Sequence, residues 1–245
     1  MRSSLLLGGL VLAACSSGPE PHRANHAGGD HHGGDHHGGD HHAAGEHAHQ
    51  GGVHHDFSDA ASWSKRFDDP ARDAWQKPDE VVKLLAVEPG MTVADLGAGT
   101  GYFEPRLAQA VGPGGKVIAL DPEANMVSFM RDRFEKVGIK NIEPRVCPLD
   151  STGLDPASAD RVLIVDTWHH IEQREAYARH LATVLKQGGS VMIVDFTQET
   201  EKGPPKQHRL PPETVLAELK AGGLEVSLVD ETLPDQFIVV GKRPL

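Results

Sequence analysis

Residues 93–103 of the chain read Val-Ala-Asp-Leu-Gly-Ala-Gly-Thr-Gly-Tyr-Phe, and this segment indicates the class of fold. The apolar run of residues 91–96 predicts a strand, the three glycines at alternate positions predict a tight loop, and the residues after them predict a helix. A glycine loop places no side chain between a ligand and the backbone, and the unpaired N–H groups of the first helical turn can donate hydrogen bonds to that ligand. The stretch therefore predicts a site for a nucleotide-like ligand.

The glycine spacing separates two kinds of ligand. A dinucleotide site follows the pattern G-x-G-x-x-G, but here the third glycine, Gly101, comes one residue early and Tyr102 takes the last position of that pattern. Asp95 at the end of the strand would repel a pyrophosphate and attract an ammonium group. The pattern D-x-G-x-G-x-G thus favours a ligand with an amino-acid end and no phosphate.

Length and charge limit the possible classes of protein. The 245 residues suffice for one domain of ordinary size with tails. The formal net charge of −11 argues against nucleic acid as a partner, because binding phosphates needs clustered lysine and arginine. Cys15 and Cys147 are the two cysteines of the sequence, so no disulfide framework is predicted.

Residues 1–15 have the pattern of an export signal. Arg2 precedes an apolar run, residues 5–14, that is too short to span a bilayer. The ending Leu12-Ala13-Ala14-Cys15 resembles the lipobox of bacterial lipoproteins, which implies a lipid on Cys15 and a bacterial membrane as the location. Ser16 fits the outer membrane, with the domain facing the periplasm. A mis-assigned start codon or an uncleaved apolar start is the alternative.

Residues 16–56 form a linker of unusual composition. The unit Gly-Gly-Asp-His-His occurs three times in residues 28–42, and twelve of the sixteen histidines lie in residues 22–55. Such a segment cannot bury a core, so we expect it to be disordered. Its paired imidazoles suit weak, multi-site binding of Zn²⁺, Ni²⁺ or Cu²⁺, and a hydrophilic tether is the alternative. The candidate metal ligands are His31, His32, His36, His37, His41 and His42.

Residues 57–78 precede the main domain, which we place at residues 79–245. Trp63, Phe67 and Trp75 stand among charged residues there, and Pro78 starts a helix. The pattern predicts a short helical cap. Its aromatic side chains either cover the ligand cleft or simply pack on the domain surface.

From residue 91 onward, strands and helices alternate. Apolar runs such as residues 162–165 are typical of strands buried on both faces, and alternation with helices indicates a doubly wound parallel sheet. Two final strands joined by a short link must be antiparallel to each other. The predicted strands are 91–96, 116–120, 142–146, 160–165, 190–196, 224–229 and 237–241, and the predicted helices include 123–137, 171–185 and 212–221, with a turn at Gly188-Gly189.

A carboxylate stands at or near the end of nearly every predicted strand. Ligands of such sheets bind beyond these strand ends. Asp121 lies about twenty residues after the glycine loop, the spacing at which a carboxylate binds both hydroxyls of a ribose. The full set is Asp95, Asp121, Asp150, Asp166 and Asp195.

From about residue 57 to the end, the chain resembles the class I S-adenosylmethionine (SAM)-dependent methyltransferases. It is most similar to a bacterial group of small-molecule methyltransferases related to the ubiquinone/menaquinone-type enzymes. The resemblance rests on the glycine stretch, residues 119–121, 148–150, 166–171 and 185–189, and the terminal hairpin. It implies a Rossmann-like, seven-stranded α/β fold and methyl transfer from SAM to a small or lipophilic acceptor.

The resemblance also implies roles for individual residues. The glycine backbone approaches SAM, Asp95 orients its ammonium, and Asp121 holds its ribose. Pro122 or Met126 would cover the adenine, while Leu149 and Asp150 would contact its face and edge. The implied cofactor set is Asp95, Gly97, Gly99, Gly101, Asp121, Pro122, Met126, Leu149, Asp150 and Asp166.

Three histidines are candidates for a catalytic base. His169 and His170 follow the fourth strand, where the resemblance places the acceptor pocket, and His208 lies in the proline-rich loop after the fifth. Imidazole titrates near neutral pH and suits removal of a proton from the acceptor. One of two adjacent histidines commonly only caps a helix or packs, and that alternative stays open.

Two other functions compete with this one. Export would place the domain away from the cytoplasm, where SAM is made, so a metal-binding lipoprotein with a methyltransferase-like binding domain is the second hypothesis. An NAD-dependent oxidoreductase is the third, and Tyr102 and the reversed terminal hairpin disfavour it.

Overall fold

The structure is a computed structural model that describes residues 59–245. The predicted signal with Cys15, the linker and its six candidate histidines, and the first two residues of the predicted cap lie outside this range. Those assignments remain predictions. No helix among residues 59–245 is long and apolar enough to cross a membrane.

The apolar runs of the sequence form one seven-stranded sheet. Val162, Leu163 and Ile164 are fully buried, as a strand covered on both faces requires. The strands are β1 (Thr92–Leu96), β2 (Lys116–Asp121), β3 (Ile142–Val146), β4 (Ala159–Val165), β5 (Leu185–Phe196), β6 (Glu225–Leu228) and β7 (Gln236–Lys242).

Helices cover both faces of the sheet. One face carries a core that includes Leu181 and Leu219, and the other carries a core that includes Val81, Leu107 and Met130. The helices are α1 (Ala60–Phe67), α2 (Asp73–Gln76), α3 (Pro78–Leu84), α4 (Glu104–Val111), α5 (Ala124–Val137), α6 (Arg174–Val184) and α7 (Pro212–Ala221). The arrangement is the doubly wound fold that the sequence predicts.

The strand order is β3-β2-β1-β4-β5-β7-β6. Strands β1 to β5 pair in parallel, and β7 is antiparallel to both β5 and β6. The predicted mostly parallel sheet with a reversed terminal hairpin is therefore confirmed. Successive strands progress outward in opposite directions from the β1–β4 pair, so the crevice at this switch point is where a ligand is expected.

Two predicted boundaries are wrong. The helix predicted from residue 171 begins at Arg174, because a 3-10 turn (Trp168–His170) and Gln173, at φ +47°, break the chain before it. The predicted Gly188-Gly189 turn lies inside β5. The amide of Arg243 donates to the carbonyl of Gly189 at 2.8 Å, so pairing with the end of the chain draws the glycines into the sheet.

Candidate functional site

The glycine loop lies at the carboxyl end of β1 in a conformation that needs glycine. Gly97, Gly99 and Gly101 have φ angles of +77°, +59° and +86°, in the left-handed region. A Cβ on Gly97 would overlap the side chain of Thr167, and one on Gly101 would lie 2.5 Å from the ring of Phe134. The loop backbone is thus packed directly against its neighbours at Gly97 and Gly101, with no room for a side chain at either position.

Asp121 lies beside the glycine loop. Its Oδ2 accepts a 2.8 Å hydrogen bond from the amide of Gly99, and its Oδ1 accepts one of 2.9 Å from the amide of Glu123. Burial raises the pKa of Asp121 to about 6, although both amide hydrogen bonds oppose that rise. The structure therefore brings together the glycine loop and the carboxylate that the spacing assigned to a ribose.

Asp95 lies at the end of the same strand that leads into the loop. It is 3% exposed, and burial raises the pKa of its carboxyl group above the ordinary value. An acidic neighbour of Asp95 is Glu104, the first residue of α4, for which the sequence predicts no role.

Asp166 is bound by protein groups on both of its oxygens. Its Oδ1 accepts a hydrogen bond from Nε2 of Gln236 at 2.5 Å, and its Oδ2 lies 3.4 Å from Nη2 of Arg72. Gln76 joins the same network, since it accepts from Arg72 and donates to Gln236. Burial raises the pKa of Asp166 to about 7, against the opposing effect of Arg72. The structure thus gives Asp166 partners among the protein's own side chains.

His169 and Asp195 form a buried pair. Nδ1 of His169 lies 2.9 Å and 3.0 Å from the two carboxylate oxygens of Asp195, and the side chains are 4% and 1% exposed. The amide of Phe196 also donates to Oδ1 of Asp195 at 2.8 Å. Because Asp195 occupies Nδ1, Nε2 is the nitrogen of His169 that remains to accept a proton.

The other two candidate histidines lie in different surroundings. His170 is exposed, with its ring centroid 4.2 Å from that of His169. His208 belongs to a 3-10 turn (Lys206–His208), and its main-chain amide donates to the carbonyl of Pro205. Of the three, His169 is the one held by a buried carboxylate.

The residues assigned to the adenine separate into two groups. Pro122, Leu149 and Asp150 are exposed, and Leu149 is 76% exposed, which leaves its side chain open to a ligand. Met126 is 1% exposed and fully buried among protein atoms. The structure therefore leaves Leu149 and Asp150 accessible and places Met126 in the interior.

The described part of the predicted cap lies against the glycine loop. The ring of Phe67 would be 3.5 Å from a Cβ on Gly99. Arg133 of α5 donates at 2.9 Å both to Asp68 and to the carbonyl of Thr100, which links the end of α1 to the loop. Phe67 thus packs beside the glycine loop, and Asp68 is joined to the loop through Arg133.

Three cations that lie outside the strands are bound by other groups of the protein. Lys77 donates to the carbonyl and hydroxyl of Thr232. Arg209 donates to the carbonyls of Pro204, Thr197, Gln198 and Thr200. Together with Arg72, these cations organise the loops around the strand ends.

No cluster of three metal-binding side chains occurs within residues 59–245. The structure therefore lends no support to the hypothesis of a metal-binding lipoprotein, whose proposed ligands precede this range.

Comparison with known proteins assigns the fold and the glycine loop to one family. The family described as "Methyltransferase domain" matches residues 87–228, more than half of the chain. A solved SAM-dependent methyltransferase from Aquifex aeolicus is 30% identical, with a TM-score of 0.70, over 74% of this chain and 97% of that one.

Curated relatives match over a shorter range. The ubiquinone/menaquinone biosynthesis C-methyltransferase of Pseudomonas savastanoi is 29% identical over 122 residues, 49% of this chain and 48% of the relative. The demethylmenaquinone methyltransferase of Bacillus cereus is 28% identical over 130 residues, 53% of this chain and 54% of the relative. The chain thus spans about half the length of the curated relatives it matches.

Proposed function

The chain belongs to the class I SAM-dependent methyltransferases, and we propose that it transfers the methyl group of SAM to a small, proton-bearing acceptor. The observation that carries the proposal is the hydrogen bond between Asp121 and the glycine loop at the switch point of the sheet. The glycines of this loop have φ angles in the left-handed region.

The described residues fit SAM. The glycine backbone offers a surface without side chains, and Asp121 offers carboxylate oxygens beside it for the two ribose hydroxyls. Asp95 supplies a negative charge at the loop for the methionine ammonium, and the exposed Leu149 and Asp150 are available to the adenine. These residues would hold SAM.

When bound, SAM supplies a methyl group already activated by its sulfonium. The protein then contributes chiefly orientation of the acceptor and exclusion of water. Phe67, which lies against the loop, is placed to limit the access of water from the cap side.

His169 is the proposed general base. Asp195 holds its Nδ1 hydrogen, so that Nε2 carries the lone pair that accepts the proton of the acceptor as the new bond to the methyl group forms. The same carboxylate stabilises the imidazolium that results. This arrangement favours an acceptor that must lose a proton, such as a phenol or a quinol.

An aromatic pair at the carboxyl end of β5, the strand end that also carries Asp195, agrees with such an acceptor. The ring of Phe196, the next residue, lies 5.9 Å from that of Trp75, and Lys202 Nζ lies 5.9 Å from the Trp75 ring. Flat apolar walls suit an aromatic ring. The names of the curated relatives, which refer to ubiquinone and menaquinone, point to the same class of compound.

We also propose a lipid anchor on Cys15 that holds the enzyme at a bacterial outer membrane, facing the periplasm, with no nucleic acid as partner. This rests on the sequence of residues 1–16 and on the net charge. Labelling with radioactive palmitate should mark the wild-type chain and leave Cys15→Ser unlabelled; equal labelling of the two would contradict the anchor.

A transfer assay tests the proposed function. Purified protein is incubated with SAM carrying a labelled methyl group and with a panel of quinols, phenols and lipid extracts, and labelled product and S-adenosylhomocysteine are both measured. We expect both to form in equal amounts with at least one phenolic or quinolic acceptor and to disappear in Asp121→Ala. Absence of transfer to every acceptor, despite bound SAM, would contradict the catalytic assignment.

A further inference from the structure

Two carboxyl groups meet in the interior at the start of the glycine loop. Asp95, near the end of β1, is 3% exposed, and Glu104, the first residue of α4, is fully buried. Their carboxyl groups lie within hydrogen-bonding range of each other. Neither oxygen of Glu104 receives a hydrogen bond from an amide, hydroxyl or cationic donor among residues 59–245. Glu104 is therefore a buried acid whose oxygens lack a donor among the described residues and whose carboxyl group lies beside that of another buried acid.

The nearby cations are committed elsewhere. Arg72 and Arg133 lower the pKa of Asp95 and of Glu104 respectively, but Arg72 pairs with Asp166 and Arg133 with Asp68. Asp121, the other acid that faces Asp95, has the opposite effect and raises its pKa. Two carboxylates in contact and out of water cannot both ionise easily. One proton held between them removes one charge and supplies the missing hydrogen bond.

We propose that Glu104 is a positioning residue for the amino-acid end of SAM: in the free protein it shares one proton with Asp95, and the arriving ammonium group displaces that proton to solvent. The inference rests on the proposed function, since it concerns the same cofactor. The ligand enters as –NH₃⁺, one carboxyl O–H of the pair gives its proton to the buffer, and no covalent bond of the ligand changes.

The physical reason is compensation of charge. A positive ammonium beside Asp95 offsets the second negative charge that the pair cannot otherwise carry. Asp95 retains some exposed surface and contacts the ligand, whereas Glu104 lies behind it and acts through it. Binding of SAM should therefore release about one proton at neutral pH. At pH values below the pKa of the pair, the affinity for SAM should increase with pH, by up to about tenfold per pH unit.

Calorimetry of the full chain in buffers of different ionisation enthalpy counts the released protons. SAM and S-adenosylhomocysteine, which both carry the ammonium, should release about one proton each at neutral pH, and adenosine, which lacks it, should release far less. Glu104→Gln keeps the shape and donates an amide hydrogen to Asp95. It should still bind SAM but release almost no proton, while Glu135→Gln, at an exposed glutamate on α5, should behave as wild type.

An infrared measurement tests the shared proton without any ligand. The free wild-type protein should show the carbonyl stretch of a buried, protonated carboxyl group at neutral pH, and the difference spectrum against Glu104→Gln should contain that band. Proton release by Glu104→Gln equal to that of wild type, or absence of the band, would overturn the inference.

The two proposals fail in different ways. SAM binding by the wild type without proton release would overturn the role of Glu104 and leave the methyltransferase proposal intact. Binding of neither SAM nor adenosine would overturn both.

Discussion

The main-chain amide of Gly99 donates a 2.8 Å hydrogen bond to Oδ2 of Asp121. This contact joins the second glycine of the loop to the last residue of the neighbouring strand, so the two parts of the expected cofactor site are held in one fixed relation. Because Gly99 has a φ of +59°, its amide is directed by a conformation that other residues adopt only with strain.

Binding of the adenosine part should depend on the ionisation of Asp121. Burial raises its pKa to about 6, and the ribose hydroxyls need the ionised carboxylate as an acceptor. Affinity for adenosine should therefore be constant above this pKa and fall as the pH drops through about 6, when Asp121 takes up a proton. Equilibrium titration of adenosine from about pH 5 to about pH 8 measures this. A loss of affinity at high pH would contradict the role of Asp121, and Asp121→Asn should show a weak, pH-independent affinity.

Loss of the proposed base should reduce turnover and spare the cofactor. His169→Gln should lower kcat by about 100- to 10,000-fold with little change in the Kd for SAM, because the imidazole would act on the acceptor. The exposed His170→Gln serves as the control and should stay near wild type. Equal losses in the two variants would contradict the assignment to His169.

Asp195→Asn tests the orientation of the imidazole. The amide of the new side chain would donate to Nδ1 of His169 and force the proton onto Nε2, so the base could no longer accept one. We expect kcat to fall at least about tenfold while SAM affinity is retained. Steady-state kinetics paired with SAM titration distinguishes this result from general unfolding.

The close packing of the glycine loop predicts a stability effect. Gly101→Ala places a Cβ 2.5 Å from the ring of Phe134, which is 2% exposed and cannot move freely, at a residue with φ of +86°. The free energy of unfolding should fall by about 2 to 4 kcal/mol. Gly114→Ala is the matched control, since a Cβ there meets open space, and it should change stability by less than about 1 kcal/mol. Denaturant titration checks both variants.

Arg72→Met should destabilise the protein in a pH-dependent way. The change leaves the partly buried carboxylate of Asp166 without its cation and costs about 2 to 3 kcal/mol at alkaline pH. The folded-state pKa of Asp166 is already raised, and it rises further without Arg72. The cost should therefore shrink as the pH falls from the higher pKa of the variant towards about 7, and little of it should remain below that pH, where Asp166 is protonated in both proteins.

Asp166→Asn combined with Arg72→Met supplies the control for that prediction. The neutral amide needs no cation, so the double variant should lose less stability than Arg72→Met alone and should lack its pH dependence. Thermal unfolding across the pH range would show this, and a pH-independent loss in Arg72→Met would argue against a charge effect.

Much of the fold could be predicted from the sequence because its signals are local. Asp121 and the glycine loop lie within one strand-loop-helix-strand unit, and their spacing alone brings them together. The parallel strands were predicted from the alternation of strands and helices, and the antiparallel final pair from the short link between the last two strands. The structure confirms both predictions.

Side-chain contacts between residues far apart in the chain could not be predicted from the sequence. Asp195 was recognised as a strand-end carboxylate, but its contact with His169 depends on the adjacency of β4 and β5 and on one rotamer. The contact of Arg72 with Asp166 joins residues 94 positions apart, and no local pattern in the sequence predicts it. The burial of Glu104 could not be predicted either, because acids are common in the first turn of a helix and its burial depends on tertiary packing.

The most direct test of the account is calorimetric titration of SAM and S-adenosylhomocysteine into the full chain and into Asp121→Ala. We predict micromolar binding of both ligands by the wild type and a loss of at least about 100-fold in the variant, because removal of a charged acceptor leaves the ribose hydroxyls unpaired. No binding by the wild type, or equal binding by the two proteins, would contradict the assignment of the glycine loop and Asp121 as a SAM site.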